Sequence, residues 1–432
     1  MARPVFYGWK IVIVCFLIAL FSFGIGFYGL GIYIVSLQAR HGWSTSLLSS
    51  AITAYYLLSG ILIIFTGDAF DRFGPRRVVL LGMVAMLAGV AGLTIITAPW
   101  QLYATFLVMS VGWASMSGAA INTIIAPWFE HKRGLAVSVA LNGGSCGGVL
   151  IVPLLVWLIA HVGFARGVSI VLATMLVVLV PSVITVLRQT PDELGLLPDG
   201  EPPPAHEPLE ARPRPAPRAS SWRRSAALHQ INFWTVSIPF ALGLAAQVGF
   251  LTHQIAYLEP RLGHYSAGVA VSLTTMAAII GRLITGVFID HVNRRLIASV
   301  NFLIQAIALG AMLTWPTDLA LYLACFGVGL TVGNMTSLSA LIVHQEFAKE
   351  RFGTVISLIV AFNQLTFAFG PGVLGVIRDM TGSYTPSLLL CILVHSLAAG
   401  IVLLRYGITA PDPLPNLARA HLLDRRRTKP NR

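Results

Sequence analysis

One arginine, Arg282, stands inside a long apolar segment with nothing beside it in the sequence to explain it. It lies eight residues before Asp290, an acid of the following loop, so helical rise puts it about 12 Å deep, near the middle of a bilayer. A basic group there costs on the order of 2.5–3.5 kcal/mol even on the lenient insertion scale. The interiors of the apolar segments hold no aspartate or glutamate to pair with it. A guanidinium facing a wet cavity is a ready fork for a carboxylate, gripped through two parallel N–H bonds. The competing reading is a structural arginine bonded to backbone carbonyls or reaching for the interface.

Weaker candidates surround it. Asn142 stands at a similar depth in the other half of the chain, and Asn122, Asn334, Asn363 and Gln364 also fall within apolar segments. Each can donate to a substrate oxygen or simply bond a neighbouring helix. His253, in the outer third of the seventh apolar segment, titrates nearest neutrality and can take a proton, bond a substrate or be buried and satisfied. His395 reads as structural. Tyr28 and Tyr33, with Tyr55 and Tyr56, line a cavity or pack as ordinary aromatics. Gly24-Ile25-Gly26-Phe27-Tyr28-Gly29 matches a nucleotide-binding spacing, but no strand precedes it and the segment is apolar, so that reading is discarded. Gly143-Gly144 and Gly147-Gly148 suit close helix packing.

The elements that must position these residues follow from composition. Hydrophobic residues make up 56% of the chain and charged residues 11%, too apolar for a soluble core. The net charge of +12 comes from short basic clusters between apolar segments, which excludes a nucleic-acid surface. Cys15, Cys146, Cys325 and Cys391 all lie in apolar runs without metal-ligand spacing, so neither disulfide nor metal is expected. No cleavable signal peptide is evident. Nucleophile and cofactor constellations are absent, so no enzyme is expected and no cofactor is assigned.

Twelve apolar segments are long enough to cross the hydrocarbon. They fall near 9–37, 45–67, 78–97, 100–129, 135–160 and 167–187, then 232–258, 266–288, 296–314, 318–345, 354–378 and 384–406. The reading is an all-α membrane protein of two six-helix bundles, residues 1–187 and 231–406. A proline-rich linker, 188–230, reads as a flexible tether, and 407–432 as a tail. Placing both termini in the cytoplasm puts all but five of the 29 Lys and Arg residues inside. Of those five, Arg40, Arg166, Arg261 and Arg378 lie outside and Arg282 lies within a helix.

The two bundles echo one another. Gly67-Asp68-Ala69-Phe70-Asp71-Arg72-Phe73-Gly74-Pro75-Arg76-Arg77 returns as Gly286-Val287-Phe288-Ile289-Asp290-His291-Val292-Asn293-Arg294-Arg295. Phe129-Glu130-His131-Lys132-Arg133-Gly134 has a counterpart in 347–353. Such internal duplication is the usual architecture of a secondary transporter.

These loops resemble the signature of the major facilitator superfamily, and the resemblance covers essentially the whole chain. It implies an inner gate. Asp71 would face the start of the eleventh helix and Asp290 that of the fifth, where a helix dipole favours a carboxylate. Arg72 and Arg76 would pair with Glu130, beside Arg133, and Arg294 would pair with Glu346. Phe6-Tyr7-Gly8-Trp9, Trp128-Phe129 with Lys132 to Ala136, and His253 with Gly281-Arg282 are similar to bacterial monocarboxylate transporters and oxalate–formate exchangers. That resemblance implies that Arg282 binds a substrate carboxylate, with Asn142 and His253 assisting.

Animal relatives carry an aspartate where this chain has Ala278, so proton coupling through a protein carboxylate does not carry over. The expected function is alternating-access transport of small monocarboxylates, with or without a proton, by a monomer in the lipid bilayer of a plasma membrane, bacterial inner membrane above all. Export of hydrophobic compounds and a non-transporting sensor are the rivals.

Overall fold

The computed structural model describes residues 6–200, 228–289, 292–347 and 349–404, without the side chains of 336 and 349–354. Among them are twelve helices long and apolar enough to cross a membrane. In hydrocarbon a backbone must satisfy its own polar groups, so apolar runs of this length can only be helical. The spans are Gly8–Tyr28, Thr45–Phe73, Pro75–Gly92, Pro99–Ile125, Arg133–Val162 and Phe164–Val186, then Ile231–Leu262, His264–Phe288, Arg294–Thr314, Asp318–Glu346, Val355–Thr381 and Thr385–Leu403.

The two sets of six pack alike. The first span lies on the fifth through bare backbone, Gly143 against the Phe16 carbonyl and Gly147 against that of Leu20. The seventh lies on the eleventh in the same way, Gly370 against the Ala245 carbonyl and Gly249 against that of Gly370. The glycine pairs thus permit the close packing their sequence suggested. Every second loop carries the basic clusters, and that end of the bundle is called the basic end below; the other is the far end.

Several spans are not the uninterrupted helices that their apolar runs suggest. The first passes through a π-helical turn at Gly24–Tyr28 and continues as Leu30–His41. The fourth breaks at Ser117, whose backbone is extended. The tenth breaks at Gly333 and Asn334, between Asp318–Val332 and Met335–Glu346. Polarity alone cannot reveal such breaks, because small and apolar residues continue through them.

Two further differences concern loops. The expected loop after the second span is mostly helix. Thr45–Phe73 runs through Asp71 and Arg72, and the turn shrinks to Gly74, at φ 77°, before Pro75 opens the third span. Only glycine takes that φ without strain, and proline suits a first helical position. The start of the linker is also folded, not a free tether. Residues 191–194 and 198–200 form two short 3-10 turns, and the Asp199 amide donates to the Trp128 carbonyl at 3.0 Å.

Candidate functional site

The fifth span, from the first half, and the eighth, from the second, lie antiparallel across the interface. Gly268 meets Val156, Gly148 meets Thr275, and the Ser272 hydroxyl approaches the Val149 carbonyl at 3.4 Å. Carried toward the basic end, the same register brings Arg282 to Asn142. Arg282 Nη1 donates to Asn142 Oδ1 at 2.6 Å, so the two residues matched by depth in the sequence are bonded across the halves.

The tenth span supplies the other side. Its break at Gly333 presents a carbonyl to which Arg282 Nε donates at 3.3 Å, and the guanidinium packs where a Cβ at 333 would stand. Asn334 holds the break in place. Its Nδ2 lies 2.7 Å from the Thr285 hydroxyl, 3.3 Å from the Gly281 carbonyl and 3.2 Å from Asn301 Oδ1. Arg282 therefore rests on an amide and a carbonyl, neither of them charged. Its Nη2 group has no hydrogen-bond partner among the described residues. Tyr28 is buried on the π turn of the first span, on the same side of the interface as Asn142. Phe23, Phe27 and Trp113 pack beside it, with Phe27 and Trp113 stacked at 6.0 Å.

The remaining candidates are scattered. His253 is buried and both ring nitrogens are occupied, Nδ1 by the Tyr384 hydroxyl at 3.2 Å and Nε2 by the Pro371 carbonyl at 2.9 Å. It ties the seventh span to the eleventh and twelfth at the far end and makes no bond to Arg282. Tyr33 faces the interior of the first half, among Ile25, Val90 and Leu155, and packs on Phe164. Asn122 bonds the Gly118 carbonyl of its own helix at 3.0 Å. Asn363 is buried with its Oδ1 unpartnered among the described residues, so it keeps a free acceptor inside the eleventh span.

At the basic end the expected pairs, which would hold the outward-open state together and break when the inside opens, are not formed in this structure. Glu346 pairs with Arg295, not Arg294. The contacts are Nε to Oε1 at 2.6 Å and Nη2 to Oε2 at 2.8 Å, with both side chains buried. Arg295 also donates to the carbonyls of Val402 and Leu404 and to the Thr235 hydroxyl. The pair joins spans seven, nine, ten and twelve of one half, so it is a clamp within that half and not a gate between halves. Arg294 donates to the Leu341 carbonyl.

Arg76 donates to the Leu187 carbonyl and Arg72 lies over the Phe73 ring, so neither meets Glu130. The Asp71 carboxylate is exposed and makes no hydrogen bond among the described residues; Arg133 is exposed as well. Asp290 lies outside the described residues.

The start of the fifth span is instead held by a residue that the sequence motifs do not single out. Asp199 accepts the backbone N–H groups of Glu130 at 2.9 Å, His131 at 2.7 Å and Lys132 at 3.3 Å. Burial pushes its carboxyl up, but these three amides outweigh it and hold the group below the usual carboxylate range. The signal available in the sequence was Asp199-Gly200, a turn dipeptide able to take the positive φ of 58° seen at Asp199.

A duplicated twelve-span bundle with one half-buried arginine at its interface, paired to no carboxylate among the described residues, is the build of a membrane transporter. The chain belongs to the Major Facilitator Superfamily, whose profile matches residues 16–371 and 261–425. It is 23% identical over 377 residues to the uncharacterized MFS-type transporter YcxA of Bacillus subtilis, spanning 84% of this chain and 86% of that one. It is 25% identical over 335 residues to monocarboxylate transporter 11 of Mus musculus, spanning 74% and 70%. Its fold resembles a crystal structure of a point mutant of the nucleoside transporter NupG, with a TM-score of 0.70 at 14% identity over 92% of this chain and 98% of that one.

Proposed function

We propose that this transporter carries small organic anions, monocarboxylates first among them, by alternating access between its two halves. The observation that carries the reading is the Arg282–Asn142 bond. A half-buried cation shared between the halves has only neutral partners, and its Nη2 group is free to donate further. A carboxylate is a stronger acceptor than an amide oxygen for the same N–H groups. An incoming monoanion would take Nη1 and Nη2 together, displace Asn142 and so uncouple the halves at mid-depth. One fixed cation suits one negative charge. The name of the mouse relative agrees with this substrate class.

In this reading the basic end faces the cytoplasm with both termini, in a bacterial inner membrane. A proton, where one is moved, rides on the substrate, because no carboxylate among the described residues shares the site with Arg282. The protein works as a monomer.

The test is uptake of labelled lactate, pyruvate, acetate and oxalate into proteoliposomes, with and without an inward proton gradient. Saturable monocarboxylate uptake that is lost in Arg282→Gln supports the proposal; wild-type protein that moves none of the four sinks it. A second reading, export of hydrophobic compounds, draws on the Phe23, Phe27, Tyr28 and Trp113 cluster beside the site. It requires that Arg282→Gln leave transport of such compounds intact.

A further inference from the structure

The second and eleventh spans belong to different halves and lie antiparallel, Ser49 against Gly375 and Thr53 against Gly372. At the far end this register sets Asp379 on the first turn of the second span. Ser44 caps that helix from within, its hydroxyl accepting the Leu47 N–H at 3.2 Å. The two preceding amides have no partner in their own helix, as the geometry of any helix start requires. Asp379, from the other half, takes both: the Thr45 N–H at 3.3 Å and the Ser46 N–H at 2.6 Å. The helix dipole adds its positive end to the contact.

The carboxylate is itself held in place. Arg378 lies 3.6 Å from it and also covers the Tyr384 ring. The Tyr384 hydroxyl in turn meets His253, whose other nitrogen holds Pro371. This chain of contacts gives His253 a place: it fixes the far end of the eleventh span, with Asp379 projecting toward the second. The glycines at 372 and 375 let the two helices come close enough for Asp379 to reach.

We propose that Asp379 is a latch that holds the far end closed, and that opening there begins with release of the Thr45 and Ser46 amides. A cap supplied by the helix itself would serve stability equally well in every state. One supplied by the other half serves only the state in which the halves meet at the far end. The proposal rests on alternating access and not on the identity of the cargo.

Its test needs no substrate. Spin labels on the exposed Trp100→Cys and Trp315→Cys, one in each half near the far end, report the separation by pulsed electron resonance in nanodiscs, with Cys146→Ser as background. Wild type should give a short, narrow distance. Asp379→Asn keeps the shape and removes the charge, and should raise the long-distance population at least about fivefold, with Asp379→Ala at or above that. Gly375→Ala leaves Asp379 intact and wedges Ser49, and should shift the distribution the same way even where an Asp379 variant does not fold. Distributions indistinguishable from wild type in every folded variant would overturn the latch. Loss of carboxylate uptake in the unlabelled wild type bears on the cargo and leaves this result standing.

Discussion

Two arginines of the second half are withdrawn from the surface, and they differ in one respect that separates structure from function. Arg295 has Glu346 in a two-point grip and three further acceptors, so its charge is compensated on every side. Arg282 has one amide oxygen and one carbonyl, and the amide belongs to the other half. Desolvating a cation and then withholding its counter-charge is expensive. The fold tolerates this at 282 while neutralising 295 in full, and it is this difference on which the proposed anion site rests.

The comparison breaks most readily at Arg295. Glu346→Gln strips a buried cation of its partner and should cost about 3–5 kcal/mol, read as a large loss of thermal stability in detergent. An unchanged melting temperature would put Arg295 in the same class as Arg282. Arg282→Gln should do the opposite. It removes two bonds from a cation to neutral partners, about 1.5–3 kcal/mol each, but also relieves an uncompensated desolvated charge, so thermal stability should change little. Yet it should reduce anion uptake by a factor of about 100 or more, matching loss of a charge-assisted pair.

The sharpest test converts one arginine into the other. Asn142→Asp gives Arg282 its own carboxylate at the position where Asn142 Oδ1 already lies 2.6 Å from Nη1. The variant should be as stable as wild type or more so, and inert in transport, because the anion site is filled from within. Full activity in this variant would mean that the substrate does not compete with residue 142. Arg282→Lys keeps the charge and loses the fork, and should weaken half-saturation about tenfold with little change in maximal rate.

The smallest expected effect is at Asp199. Because its carboxyl is held below the ordinary value, the docking it supports is complete above that value and fades as pH falls through the lowered one. Asp199→Asn at neutral pH should therefore speed amide exchange at 130–132 without altering uptake. Slow exchange there in the variant would show that the 3-10 turns hold without the charge.

How much of this was legible in the chain depends on which physical rule set each feature. The twelve spans were legible because apolar length alone decides them. Arg282 and Asn142 could be set at similar depth by counting residues from the ends of their helices, but the bond between them comes from the register of the two spans. The partner of Glu346 was not legible because Arg294 and Arg295 are adjacent. One residue turns a helical side chain by about 100°, and nothing in an Arg-Arg pair says which of the two faces inward. Asp379 was hidden for another reason: it stands two residues before the end of its span, where an acid reads as loop chemistry. Asp71 stands at the same offset from the end of the second span. Its carboxylate, unlike that of Asp379, is exposed and meets no helix start among the described residues, so the same offset in sequence does not give the same contact.

The packing also says where the protein can come apart without damage. Inside each half, glycines press on carbonyl oxygens: Gly143 on Phe16, Gly147 on Leu20, Gly281 on Leu330, Gly370 on Ala245. Main chain against main chain has no soft coordinate, so these seams should behave as welds and reject even alanine in a random mutagenesis screen. Between the halves, glycines mostly meet the side chains of Ser49, Thr53, Val156, Thr275 and Gln364, which can change rotamer and let go. Two main-chain approaches also cross the seam among the described residues, Gly31 against the Thr252 carbonyl and Gly375 against that of Thr45. A bundle welded within its halves and fastened between them largely by side chains should part along that seam first, and substitutions at Gly31 should disturb the seam without unfolding either half.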